Sequence, residues 1–220
     1  MLETMGMLVS KYSGLFLEGV KYTLLLAAIA VALGTVIGTL LAILKMAKFK
    51  PLTWIATAYI EVFRGTPLLL QLYLFYFLVP KMLPFDPSKF ACVSTALVLN
   101  SGAYVSEVIR AGIQAVDKGQ TEAARSLGLN GFQTMWKVVL PQALKNILPA
   151  LGNEFVTVIK ETSLASTFFI GDLMTCYRTI NGALYLTLEP LIIVGIIYFV
   201  LTFSLSKLIA FAERRLHHDN

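Results

Sequence analysis

A length of 220 residues would suit one or two soluble domains, but 57% of them are apolar and only 14% charged. An ordinary soluble domain carries roughly 25% charged residues, so the composition excludes a water-soluble globule. The formal net charge of +5 comes from lysines and arginines scattered over short segments, which suits the orienting of a membrane protein and gives no sign of a nucleic-acid partner.

Tyr22 to Leu44 is 23 residues without a formal charge. As a helix it would extend about 35 Å, enough to cross a hydrocarbon core of about 30 Å. No cluster of Lys or Arg precedes it, and it is too long for the apolar region of a cleaved signal, so it is read as a retained span. Four more apolar segments follow, which places the spans at about 20–44, 55–80, 89–109, 141–168 and 187–209. All five are expected to be helical, because a backbone exposed to lipid must satisfy its own hydrogen bonds. The expectation is an all-α, multi-pass protein in contact with membrane lipid, one domain over residues 1–220. The second span carries Glu61 and Arg64, and the fourth is interrupted by Pro149, Gly152, Glu154, Lys160 and Glu161. An N-terminus outside and a C-terminus in the cytoplasm puts eleven lysines and arginines on the inner segments and six on the outer ones, so that orientation is preferred. Cys92 and Cys176 allow one disulfide and show no metal-site spacing; they are read as separate thiols in preference to a pair, and His217 and His218 as a solvated tail, so no metal site is expected.

The segment between spans three and four, about 117–140, reads as a hairpin of two short capped helices. Asp117 with Gln120, and Asn130 with Gln133, each have the spacing of an N-cap and its reciprocal partner. Gly128 stands where a left-handed C-cap is wanted. Phe132, Met135, Trp136, Val139 and Leu140 recur at helical spacing as one apolar face, and Pro141 ends that helix or opens the next. Such a hairpin could lie on lipid headgroups, but the small side chains of Ala123 and Ala124 favour close docking against another protein.

A charge at the centre of a span costs roughly 2.5–3.5 kcal/mol on insertion scales, so each one needs a reason. Glu61 with Arg64, and Glu107 with Arg110, are three apart and could pair along one helix face. Glu154 and Glu161 have no cation at helical spacing and need a partner from another span, a second subunit or a substrate. Asn100, Tyr104 and Glu107 share a face of span three, available either for hydrogen bonds between helices or for substrate contact. Asp172, beyond span four, is a further candidate near the outer mouth. The substrate-path candidates are therefore Asn100, Tyr104, Glu154, Glu161 and Asp172. No nucleophile–base constellation occurs, so no catalytic residue is assigned.

The stretch EAARSLGLNGFQTMWKVVLP, residues 122–141, resembles the EAA loop of binding-protein-dependent ABC importer permeases. Glu122, Ala123, Ala124, Gly128, Leu140 and Pro141 fall in register with that pattern, and Val138 stands where an isoleucine is usual. YIEVFRGTPLLLQL, residues 59–72, NSGAYVSEVIRAGIQAVDKGQTEAARSLG, residues 100–128, and LPALGNEFVTVIKETSL, residues 148–164, are similar to the permeases for polar amino acids, the histidine, glutamine, glutamate and arginine group. The resemblance covers about residues 17–215 and is least characteristic at 172–188. It implies two five-span permeases, identical or homologous, around one path for an amino acid. It implies that the EAA loop, with Glu122, Ala123, Ala124, Gly128 and Pro141, inserts into a cytoplasmic ATPase subunit, one of a pair, and that an outer substrate-binding protein delivers the cargo. The sequence has no G-x-x-x-x-G-K-[ST] phosphate loop, so ATP and Mg²⁺ belong to the partner, and no cofactor is expected on this chain. A secondary transporter or channel driven by an ion gradient is the alternative. It would use the buried acids as a proton relay but leaves the EAA spacing without a purpose.

Overall fold

The computed structural model describes residues 1–218, with side chains through Arg215. The expectation for His217 and His218 lies outside the described side chains. No strand occurs among the described residues, in keeping with the all-α expectation.

The first helix, α1, runs from Leu2 to Met46, far longer than the expected 20–44, with one non-helical residue at Tyr12. Charges at Lys11, Glu18 and Lys21 hide the early part from a search for apolar runs. Tertiary burial explains the extension: Leu8 and Phe16 pack with Leu173, Cys176, Ile180, Ile193 and Val194 in one core cluster.

The expected second span is not one helix. It consists of α2, Lys50–Gly65, and α3, Leu68–Phe77, followed by a short turn of helix, α4, Val79–Met82. The two arms are bent by 104°. Pro67 lacks an N–H and forces its predecessor out of the helical region, and Thr66 accordingly adopts φ −118°, ψ 147°. Helix α5, Lys89–Gln114, is the third apolar element. It packs along α1 where Gly34 and Gly38 face Ser101 and Gly102. A Cβ at Gly38 would lie 2.9 Å from the Gly102 carbonyl, so only a glycine allows this approach.

Helix α6, Lys118–Ser126, and α7, Gly131–Thr134, form the hairpin. A π-helical turn, Met135–Val139, joins α7 to α8, Leu140–Glu161. The expected helix through 168 ends at Glu161 and tightens into a 3₁₀ segment, Thr162–Phe168, closed by Phe169 in the left-handed region. Helix α9, Leu173–Leu184, and α10, Leu188–His218, complete the described chain. Of these elements α1, α5 and α10 are individually long and apolar enough to cross a membrane, and the bent α2–α3–α4 pair qualifies as a broken span. Cys92 and Cys176 are separate, buried thiols.

Candidate functional site

Most candidate residues fall in two regions: the hairpin at one end of the bundle, and a polar seam along α5 where α2, α3 and α8 each pack against it.

In the hairpin, the Asp117 carboxylate accepts from the Gly119 N–H at 2.7 Å and caps α6. The reciprocal bond expected from Gln120 does not form. Its side-chain oxygen instead accepts from Gln142 Nε2 of α8 at 3.4 Å, which ties the two arms together. Gly128 has φ +85°, as a left-handed C-cap requires. The Gly128 N–H donates to the Arg125 carbonyl at 3.0 Å and the Leu129 N–H to the Ala124 carbonyl at 3.2 Å, the double bond of a Schellman end. Asn130 and Gln133 form both halves of the second capping box, at 2.9 and 3.0 Å. The single apolar face expected from Phe132 to Leu140 is split. Val139 is buried while Phe132 and Trp136 are exposed, with their ring centroids 5.9 Å apart. The π turn is wider than 3.6 residues and rotates the later side chains away from the earlier ones. Pro141 explains the turn, since it offers no N–H to the carbonyl of Lys137 and its ring would crowd a regular helix there. Ala124 is buried and Glu122 and Ala123 are exposed. A cavity of about 730 Å³ opens between the end of α5 and the hairpin, lined in part by Ile113, Val116, Met135 and Val139 with Lys118 and Arg125.

The seam is organised by the bend. Gln71, on α3, turns its amide back to the end of α2 and donates to the Phe63 carbonyl at 2.8 Å and to the Thr66 carbonyl at 3.1 Å. Its own oxygen accepts from Asn100 Nδ2 at 2.9 Å. Asn100 is therefore only 4% exposed, and it serves as a bond between helices, the first of the two roles its position allowed. Tyr59 adds a hydrogen bond to the Leu99 carbonyl at 2.9 Å. Gln71 is the residue that sequence reasoning missed; the Gly65–Thr66–Pro67 triplet was the signal, because a broken helix leaves carbonyls that need a donor.

Charge pairing also differs from expectation. Arg64 does not pair with Glu61 along α2 but lies 3.8 Å from Glu107 on α5. Glu107 holds Lys45 and Arg110 at 2.7 Å each, so the expected Glu107–Arg110 pair forms inside a larger cluster. Tyr104 is partly exposed beneath the Arg64 guanidinium, 5.5 Å from ring centroid to cation. Glu154 accepts a hydrogen bond from Ser101 Oγ at 3.5 Å, the limit for such a bond. Glu161, half-buried at the end of α8, makes no side-chain hydrogen bond and no ion pair within 4 Å among the described residues. Asp172 is wholly buried and not at an open mouth. Its carboxylate accepts from the Met174 N–H at 2.9 Å and from Thr175 Oγ1, capping α9. Its spacing from Thr175 held that role, which the search for unpaired acids passed over.

Residues 34–218 match the family of inner membrane components of binding-protein-dependent transport systems. The chain belongs to that family. Among curated relatives, it is 46% identical over 204 residues to the arginine transport system permease protein ArtQ of Bacillus subtilis, covering 93% of each chain. It is 43% identical to the putative glutamine transport system permease protein GlnP of Rickettsia bellii, over 90% of this chain and 91% of the relative. A solved amino acid ABC transporter crystallised with histidines superposes with a TM-score of 0.90 at 47% identity, covering 94% of this chain and 96% of that one. The methionine ABC transporter MetNI, at 18% identity and a TM-score of 0.78, shares the fold. As an inner membrane component of a binding-protein-dependent system, this chain is a transport subunit. Membership leaves no observation in favour of the gradient-driven alternative.

Proposed function

We propose that this chain is a permease subunit of an ATP-driven importer for polar amino acids, basic ones such as arginine among them. The observation that carries this reading is the 46% identity over 93% of both lengths to an arginine permease. Two such subunits, identical or homologous, enclose one path, and an outer binding protein delivers the amino acid. The hairpin of Glu122, Ala123, Ala124, Gly128 and Pro141 seats in one of a pair of cytoplasmic ATPase subunits, which hold the ATP and Mg²⁺. Two firmly capped helices on a short connection suit that task, because they transmit force without melting. Five spans, with the N-terminus outside and the C-terminus inside, agree with the excess of inner lysines and arginines. Glu154, Glu161 and Tyr104 line the path. Asn100 and Asp172, both buried, shape it by holding the helices that carry those three.

The decisive measurement is ATP-driven uptake of labelled arginine, histidine, glutamine and glutamate into proteoliposomes containing the permease and its ATPase. Glu154→Gln keeps volume while removing the charge that would hold a cation, and loss of about 1.4 kcal/mol of binding is a factor of ten. Arginine uptake is expected to fall by about that factor. Unchanged uptake of every substrate would make Glu154 a packing residue, and preferred glutamate uptake by the unaltered chain would end the basic-substrate reading. In a cysteine-free background, Gly131→Cys should be shielded from an impermeant thiol reagent in intact cells and Asp86→Cys labelled. The reverse pattern would turn the hairpin outward and defeat the assignment.

A further inference from the structure

Helix α1, at 45 residues, is too long to be only a span. It would extend about 68 Å, more than twice a hydrocarbon core of about 30 Å. Fitting it within that core would take a tilt of about 64°, beyond the roughly 0–40° of membrane helices. Its early half lies at the end of the bundle away from the hairpin. The Tyr22 ring meets Phe90 at the start of α5, 6.3 Å between centroids, and α5 runs from there to the hairpin. Residues 15–23 are fastened to α9: the Leu173 N–H donates to Thr23 Oγ1 at 3.1 Å and the Cys176 thiol to the Leu15 carbonyl at 3.2 Å. Ahead of them Tyr12, at φ −111° and ψ 17°, breaks the helical path.

The arm before that break, Leu2–Lys11, has three faces. Leu8 is wholly buried, in one cluster with Ile180 of α9 and with Ile193 and Val194 of α10. Leu2, Met5 and Val9, at i, i+3 and i+7, form an apolar stripe beside that packed face. Glu3, Gly6 and Ser10 form a polar stripe about 100° further round, with Met7 at its far edge. Leu2 is 80% exposed and Val9 49%, so the described chain leaves most of the apolar stripe uncovered.

The neighbours of the arm decide what meets that stripe. The first turns of α10 share its cluster and present Leu188, Leu191, Ile192 and Ile196 as exposed apolar side chains. They border the uncharged run Pro190–Ser206, which Glu189 precedes, so the hydrocarbon begins beside the arm. A helix with one packed, one apolar and one polar face fits the corner between protein, acyl chains and water. Residues 1–21 hold two acids, Glu3 and Glu18, and two lysines, Lys11 and Lys21. Seating therefore rests on apolar area, and zwitterionic lipid suffices.

A strained residue stands at the same end. Helix α9 closes at Leu184, and Tyr185 takes the left-handed cap position at φ 56°, where glycine is usual. The Tyr185 N–H donates to the Asn181 carbonyl at 2.8 Å. The Asn181 amide donates to the Leu186 carbonyl at 3.0 Å and to Thr187 Oγ1 at 3.1 Å, so the turn is braced. Leu184 and Leu186 pack against the cluster that holds Leu8, while the Tyr185 ring between them is 90% exposed. A ring with an apolar body and a wet hydroxyl suits the headgroup boundary.

We infer that Leu2–Lys11 lies along the membrane surface opposite the hairpin, with Leu2 and Val9 among the upper acyl chains, and that Tyr185 dips into the same layer. Together they anchor the α1–α9–α10 end of the bundle at a fixed depth. This goes beyond the proposed import and holds for either orientation of the chain.

The test places an NBD fluorophore on single introduced cysteines of the permease–ATPase complex in phosphatidylcholine vesicles. Cys92 and Cys176 are buried, and the unaltered complex reports any background. The quenchers are a nitroxide on the acyl chain near the headgroup, one near the bilayer centre, and iodide on both sides. The shallow nitroxide should quench Leu2→Cys and Val9→Cys about threefold more than Gly6→Cys and Ser10→Cys, with iodide giving the reverse order. Tyr185→Cys should follow Leu2→Cys. ATPase co-purification reports the fold of each variant. Equal iodide quenching at all four arm positions would make the arm a rod in water, and deep quenching at all four would make it part of the span. Shielding of Leu2→Cys and Val9→Cys from every quencher would mean that another protein, such as the second permease, covers the stripe. Each of these overturns the inference. Tyr185→Gly separates anchoring from strain: it should raise the thermal midpoint in detergent and raise it less in the vesicles, where the ring has its partner. Equal gains in both media would remove Tyr185 from the anchor.

Discussion

The hairpin at 117–141 and the bend at 62–71 both interrupt regular helix, and they are held together in opposite ways. In the hairpin the capping bonds are local: Asp117 to Gly119, Asn130 to Gln133, and Gly128 back to Arg125, with one longer-range bond from Gln142 to Gln120 added to them. At the bend a proline makes the break locally, but the bonds that tolerate it come from Gln71 and from Asn100, 29 residues beyond Gln71, which donates both to Gln71 and to the Phe63 carbonyl. A hairpin built on local caps keeps its shape when its surroundings move, which suits a rigid lever. A bend satisfied from a neighbouring helix is tied to the arrangement of that helix, and so it changes when the bundle does.

The largest effect expected from this contrast is at the bend. Gln71→Leu would leave the Thr66 carbonyl without the Gln71 amide and the Phe63 carbonyl and Asn100 amide with only their long 3.4 Å bond to each other, at about 2–4 kcal/mol. It should lower the thermal midpoint of the purified complex clearly, and a neutral result would make the bend a product of apolar packing alone. Glu107→Gln comes next, because it strands three cations on different helices. Breaking a fully buried pair costs about 3–5 kcal/mol, but these cations are partly exposed, so about 2 kcal/mol is expected in the same assay.

Gly128→Val forces a β-branched residue into the left-handed region, at about 1–2 kcal/mol. Because the strain falls within the hairpin proposed to couple to the ATPase, uptake per ATP hydrolysed should drop several-fold while the ATPase stays bound. Normal coupling with ATPase bound would reduce the hairpin to a surface feature. Asn130→Ala is expected to be mildest, about 1 kcal/mol for a lost cap. If it cost more than Gln71→Leu, the hairpin would depend on tertiary support after all.

The same division marks what was legible beforehand. Capping residues act within about four positions, so Asn130, Gln133 and Gly128 could be read without a fold. The Asp117–Gln120 box was half right, since a side chain from α8 competes for Gln120. The break in the second span was signalled by Pro67 within two residues of Gly65, but the apolar run on either side masked it. Arg64 and Glu61 were matched by spacing, and spacing cannot weigh a carboxylate on another helix that already gathers two cations.

By itself the sequence determined that this protein lives in a membrane, that its backbone is helical and that a capped hairpin joins two of its helices. Apolar content, backbone hydrogen bonding and capping are properties of a segment and travel with it. Only the tertiary structure decided that Asn100 and Asp172 are closed to solvent, that Gln71 repairs a broken span, and that Arg64 turns from Glu61 toward Glu107 and Tyr104. A buried polar group takes whichever partner packing brings within about 3 Å, and that choice is made between helices far apart in the chain.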